Sequence, residues 1–154
     1  MAKTDWEDEL ASFIEDLRVI EECKVETPEK FNQFCEFIVE SSFESLSEEL
    51  RKYGIKSKFQ KQKGKSISFE VNFPKSRIDN FHYIICLPKD SFDLKLKLLI
   101  KGRRNKKSPI EEKEEPFMKH IKPSGILKLS KEDLIRDVIK HYKKFSFEAL
   151  IKPE

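Results

Sequence analysis

The sequence predicts an α+β fold in the order ααββββ(β)α: two N-terminal helices, a four-stranded antiparallel meander and a C-terminal helix, with the helices mainly on one sheet face. Three observations carry this reading. Apolar residues recur at helical spacing up to Tyr53. The spacing changes to alternation after Gly54, and helical spacing returns after Ser130.

The first helix opens on a capping box made by Thr4 and Glu7, and Asp5, Glu7, Asp8 and Glu9 suit the positive end of its dipole. Trp6, Leu10, Phe13, Ile14 and Leu17 form one apolar stripe, which is expected to face the core, and the helix is expected to end near Ile20 to Glu22. The second helix has Thr27 at the N-cap and Pro28 at the first helical position, where a missing N–H costs nothing. Phe31, Phe34, Cys35, Ile38, Phe43, Leu46, Leu50 and Tyr53 continue its period, and Gly54 stands where a left-handed residue closes a helix. From 28 to 53 such a helix spans roughly 39 Å at about 1.5 Å per residue, so a bend near Ser41-Ser42 is expected.

Ile55, Ser57 and Phe59 alternate with polar partners, and Lys63-Gly64 marks a hairpin turn. Ile67, Phe69, Val71 and Phe73 form a half-buried second strand. Phe81 to Leu87 is apolar on both faces, which places it mid-sheet. Pro88 to Ser91 is a turn, and Phe92, Leu94, Leu96, Leu98 and Ile100 make the fourth strand. The short turns favour a meander. The basic run at 101–107 and the acidic run Glu111 to Pro116 read as a solvated charged loop at about 101–122. Gly125 to Leu129 reads as a short fifth strand. Ser130 and Asp133 frame the last helix, whose stripe is Leu134, Ile135, Val138, Ile139 and Tyr142. Phe145, Phe147, Leu150 and Ile151 are expected to tuck onto the core. With no internal repeat, residues 1–154 are read as one domain.

The chain has 154 residues, 38% of them apolar and 38% charged, enough to bury a core beneath an unusually charged surface. No apolar run approaches the roughly 20 residues that span a bilayer, and the acidic N-terminus does not resemble a secretory signal, so no membrane partner is expected. Cys23, Cys35 and Cys86 are odd in number and widely spaced. They read as reduced thiols of a cytoplasmic protein rather than a disulfide framework. The net charge of +3 hides a polarisation. Residues 1–53 hold six Lys/Arg against fifteen Asp/Glu, residues 54–107 hold fifteen against four, and residues 108–154 hold ten against nine. Such asymmetry points to an anionic partner or to charge pairing within or between molecules.

Motifs that would carry chemistry are sparse. Gly54, Gly64, Gly102 and Gly125 stand singly at expected turns, with no phosphate-cradling pattern, and no cofactor is implied. His82, His120 and His141 lie far apart without metal-ligand spacing, and His82 and Cys86 would sit about 13 Å apart along one strand, too far for a nucleophile and its base. Asp93-Leu94-Lys95, with Asp79 and Asp90 upstream, has the residue types of a metal-dependent nuclease. Any alternating charged strand generates that pattern. The positive signal is a basic sheet face: Lys56, Lys58, Lys95, Lys97 and Lys101 point outward, and Arg103, Arg104, Lys106 and Lys107 extend the patch. It lacks outward aromatics for stacking, and outward lysines also guard sheet edges against aggregation. The leading expectation is therefore a non-enzymatic accessory or protein-interaction domain acting through charged surfaces, with a protein partner or a homo-oligomer. The alternative is a nucleic-acid-binding module using the basic face, and a metal-dependent nuclease is a distant third.

Overall fold

The computed structural model describes residues 5–72, 79–89, 91, 93–103 and 107–151. Its helical part departs from expectation. Helix α1 (Asp5–Phe34) runs through Pro28 without a break, continues as a π-helical turn (Cys35–Val39), and continues again as α2 (Glu40–Arg51). The Thr27-Pro28 pair read as a helix start lies inside a helix. Proline cannot donate to the carbonyl one turn back. Next to it, the Thr27 hydroxyl turns inward and donates to the Cys23 carbonyl at 2.6 Å, instead of capping a new N-terminus. Thr27 is 2% exposed, so no water competes for that bond.

The expected bend at Ser41-Ser42 is replaced by the π turn just before it. There the Glu40 N–H bonds to the Cys35 carbonyl, one residue further back than in an α-helix. The extra residue advances the apolar face by one position. Phe31 and Phe34 are buried before the turn, Cys35 and Val39 within it, and Phe43 and Leu46 after it. Gly54 closes the rod as expected, with φ 75°. The Ile55 N–H reaches the Leu50 carbonyl and the Gly54 N–H reaches the Arg51 carbonyl, the paired bonds of a Schellman motif.

Among the described residues five strands follow, β1 (Lys56–Gln62), β2 (Ser66–Asn72), β3 (Asp79–Cys86), β4 (Lys97–Arg103) and β5 (Glu111–Pro116). They pair antiparallel in sequence order, with β3 in the middle. The α+β class and the meander stand; four local readings need correction. The fourth strand begins at Lys97 rather than Phe92, although Leu94 and Leu96 are buried before it. Residues 101–103 of the basic run belong to β4. The acidic run read as loop is an edge strand, because its carboxylates meet lysines: Lys97 Nζ lies 2.9 Å from Glu114, and Lys101 stands opposite Glu112. The fifth strand read at 125–129 is instead a 3₁₀ segment (Pro123–Lys128), in which local bonds from the Gly125 and Leu129 N–H groups replace a ladder.

One sheet face carries Ile67, Phe69, Val71, Phe81, Tyr83, Ile85, Leu98 and Ile100 into the core. Phe43 on α2 anchors it, stacked on Phe69 with ring centroids 4.7 Å apart and edge-on to Tyr83. Helix α3 (Lys131–Ile151) opens on the expected reciprocal cap between Ser130 and Asp133 and lays Tyr142 and Phe145 against Phe81. Phe147, expected to tuck in, is 58% exposed, and the side chains of Leu150 and Ile151 lie outside the described residues. A polar clamp holds α3 to the sheet: the buried Tyr83 hydroxyl donates to Asp137, and His141 Nε2 lies 3.5 Å from Asp137 and 3.3 Å from Glu115.

Gly102, expected at a turn, lies inside β4 and is a packing position. A Cβ there would meet the Phe145 ring at 2.8 Å. Gly102→Ala is therefore expected to cost about 1–3 kcal/mol by overpacking, read as a lower urea midpoint. An unchanged midpoint would mean that α3 sits further from β4.

Burial holds the His141 imidazole below its ordinary pKa, against the opposing pull of Asp137 and Glu115 and with the help of Lys140 and Lys144. The unfolded histidine, near pH 6.5, takes up its proton first, so the His141 contribution to stability is complete above that pH and declines as pH falls through the window below it. Unfolding midpoints from pH 7.5 to 5.5 should fall in the parent and fall less in His141→Gln. Equal slopes would remove His141 as the cause.

Candidate interaction surface

The N-terminal two-thirds of α1 touches almost nothing. Trp6 is 63% exposed, Phe13 and Ile14 56%, Leu10 52%, and Leu17 and Ile20 are also exposed. The stripe expected in the core is thus a corrected reading: it is real, helical and unburied. Its spacing explains its form. Trp6, Leu10, Phe13, Leu17, Ile20, Lys24, Thr27, Phe31 and Phe34 follow one another at alternating steps of four and three, the period of a coiled-coil seam. The same seam is core from Thr27 onward and bare before it. Residues 5–26 form an arm roughly 33 Å long at about 1.5 Å per residue.

The arm is also acidic. It carries nine Asp/Glu against Arg18 and Lys24. Glu7, Glu9, Asp16 and Glu21 occupy the positions that flank the seam, while Arg18 is taken up along the helix by Glu15 and Glu22.

Where the arm meets the body, two adjoining clefts of about 610 and 660 Å³ share Asp93, Leu94, Lys122 and Pro123. Thr27 and Lys30 form one wall of the first, and the 3₁₀ segment the other. The floor is apolar, with Leu94 and Ile126 buried beneath it, and the rim carries Lys30, Lys95, Lys119, His120 and Lys122. Among the described residues no ion pair engages the ammonium groups of Lys95, Lys119 or Lys122. The single rim carboxylate, Asp93, accepts a bond from the Lys95 backbone N–H at 3.1 Å.

The outer sheet face carries most of the residues singled out from the sequence. Lys56 and Lys58 lie on β1; Lys97, Lys101 and Arg103 share the outward phase of β4; Lys95 precedes that strand and lines the cleft instead. Lys107 follows β4, and Arg104 and Lys106 lie outside the described residues. Carboxylates interleave with the lysines. Glu70 lies 3.4 Å from Lys58 and 3.8 Å from His82, and Glu114 pairs with Lys97. At the centre of this face Ile84 and Leu99 stand opposite each other, half-buried. His82 and Cys86 share the face, one row apart on either side of Ile84.

Asp93 and Lys95 form a local turn before β4 rather than a strand pair. Of their suggested partners, Asp90 and the Asp79 side chain lie outside the described residues. Among the described residues no group of three or more His, Cys, Asp or Glu is placed to hold a metal, and no helix is long and apolar enough to cross a membrane.

Sequence reasoning passed over the rim lysines 119 and 122, because nothing local links them to Lys30. The strict four-three alternation of the seam was the available signal for the arm. Comparison of the chain with protein-family models, with curated proteins and with solved structures finds no match.

Because the arm contributes no core residue before Thr27, a chain beginning at Lys24 is expected to keep the cooperative unfolding and near-ultraviolet dichroism of the body. Loss of cooperativity would place part of the folding nucleus in the arm.

Proposed function

We propose that this chain is a non-enzymatic protein-interaction domain that docks an α-helix of a partner protein along the seam of its α1 arm. The observation that carries the reading is the seam itself: five large apolar side chains on one helical face, exposed, in register with side chains that are fully buried further along the same helix. Burying such residues yields about 1.5–3 kcal/mol each, and monomeric proteins rarely leave a contiguous row of them in water. The seam's period selects the partner's shape, because knobs at alternating three and four spacing fit the holes of another helix.

A reducing, cytoplasmic location fits this reading. Cys23, Cys35 and Cys86 are free thiols, and burial pushes the Cys35 thiol up to about 12, where it is inert. Nucleic-acid binding is the second reading, favoured by the exposed Lys56, Lys58, Lys63 and Lys65 along β1 and its hairpin. The interleaved Glu70, Glu112 and Glu114 weaken it, since they break the row a phosphate backbone would follow.

Crosslinking in the cells that make the protein separates the two. Complexes should vanish with Leu10→Lys plus Leu17→Lys and persist with Lys56→Gln plus Lys58→Gln. The reverse pattern, with anisotropy of labelled DNA or RNA that weakens on the order of a thousandfold between about 50 and 200 mM salt, would replace the arm with the sheet.

A further inference from the structure

Resting on the reading of the arm as a docking element, we infer that the helix seated on its seam belongs to a different protein and is basic, with Lys or Arg beside its own apolar row.

The positions that flank the bare seam are 7, 9, 14, 16, 21 and 23. Glu7, Glu9, Asp16 and Glu21 hold four of them, and Ile14 and Cys23 hold the others, so no cation stands beside the seam. The ion pairs of the arm lie elsewhere on its circumference: Arg18 meets Glu15 and Glu22, and Lys30 meets Glu26. Among the described residues no ion pair engages the four flanking carboxylates, and all four are exposed. A helix docked along the seam brings its own flanking positions opposite these, so charge there decides which helix is accepted. Acidic flanks on the partner would face carboxylates. Basic flanks would pair with them, whether the partner runs parallel or antiparallel.

The same charges reject a copy of this arm. The body closes over the seam at Thr27, 2% exposed, and Phe31, 0% exposed. An antiparallel pair held to the seam before Thr27 sets Asp16 against its own counterpart and Glu7 against Glu21. One heptad further apart, Glu9 stands against Asp16. A parallel pair sets Asp16 against Glu21. Each arrangement that the body leaves open thus places acid on acid. The bare seam from Trp6 to Lys24 accepts about three heptads of a partner helix, roughly 21 residues.

Two synthetic peptides of about 21 residues test this on the full chain. Both carry Leu at the two seam positions of each heptad. One has Lys at every flanking position and the other Glu, and like charges keep each from pairing with itself. Trp6 is the chain's single tryptophan and stands in the seam, so its emission reports docking. At about 50 mM salt the Lys peptide should shift that emission to the blue and bind at least about tenfold more tightly than the Glu peptide, with a difference that shrinks by about 500 mM. Glu9→Lys plus Asp16→Lys should remove the preference. Leu10→Gln plus Leu17→Gln, which leaves the charge unchanged, should abolish binding of the Lys peptide. The parent alone should sediment as a monomer of 18.3 kDa at about 50 µM. Equal binding of the two peptides, a preference for Glu, or a Lys preference that survives Glu9→Lys plus Asp16→Lys overturns the basic partner and leaves the seam as a docking site. Binding of neither peptide, or undiminished binding of the Lys peptide after the Gln substitutions, overturns the seam itself. A parent dimer that the Gln substitutions dissociate overturns the different protein, because the arm then binds its own copy.

Discussion

A single helix longer than the body that holds it is the constraint on which the rest of this structure depends. From Asp5 to Arg51 the helical rod spans roughly 70 Å at about 1.5 Å per residue, while strands of seven residues reach only about 23 Å. One end must overhang. The Schellman turn at Gly54 fixes which, because it stops the rod and returns the chain directly into β1. The π turn at Cys35–Val39 then keeps the apolar face on the sheet along α2, so the body is committed to the C-terminal half and the N-terminal half extends alone. An isolated helix of that length is marginal because its first turn is costly to form. Here the core-bound half supplies the nucleus and the arm only propagates it.

The charge polarisation follows from the same geometry. The acidic first third of the sequence and the basic middle third do meet inside the molecule, for example where Lys61 lies 3.4 Å from Glu40. That contact lies at the body. The nine carboxylates of the arm stand beyond its reach, and the lysines of the outer sheet face are balanced largely by Glu70 and by the late acidic strand β5. Arg18 and Lys30 pair with three of those carboxylates, and what remains is an excess of negative charge on the arm and, at its base, a cleft lined by Lys95, Lys119 and Lys122.

The fold class, the meander, the closure at Gly54 and the cap at Ser130 were legible in the sequence because each depends on residues a few positions apart. The misread elements depend on partners far away in sequence. Phe13 and Phe31 have the same local spacing, and only the body packed against one end of the helix makes the second of them core. Glu111 to Glu115 lack strand propensity and become β5 because Lys97 and Lys101 stand opposite. Thr27-Pro28 has the composition of a helix start, and burial of the threonine hydroxyl turns it into helix interior. The basic residues on β1 and β4 were placed correctly by alternation. The carboxylates between them come from β2 and β5, and no reading of one strand at a time would set them there.

The seam is not uniformly apolar, and its exceptions have physical content. Lys24 and Thr27 replace large hydrophobes at two successive positions beside the body. A polar residue in such a seam costs stability and in exchange restricts register, because most alignments would bury it without a partner. The acidic flanks act in the same direction, since Glu7, Glu9, Asp16 and Glu21 repel any helix whose own flanks are acidic at the facing positions. An arm built in this way holds enough apolar surface to bind, yet its polar layers and its charge reject most of the helices it would meet. The selectivity of the domain therefore resides less in the hydrophobic residues, which would suit many partners, than in the few charged and polar side chains that surround them.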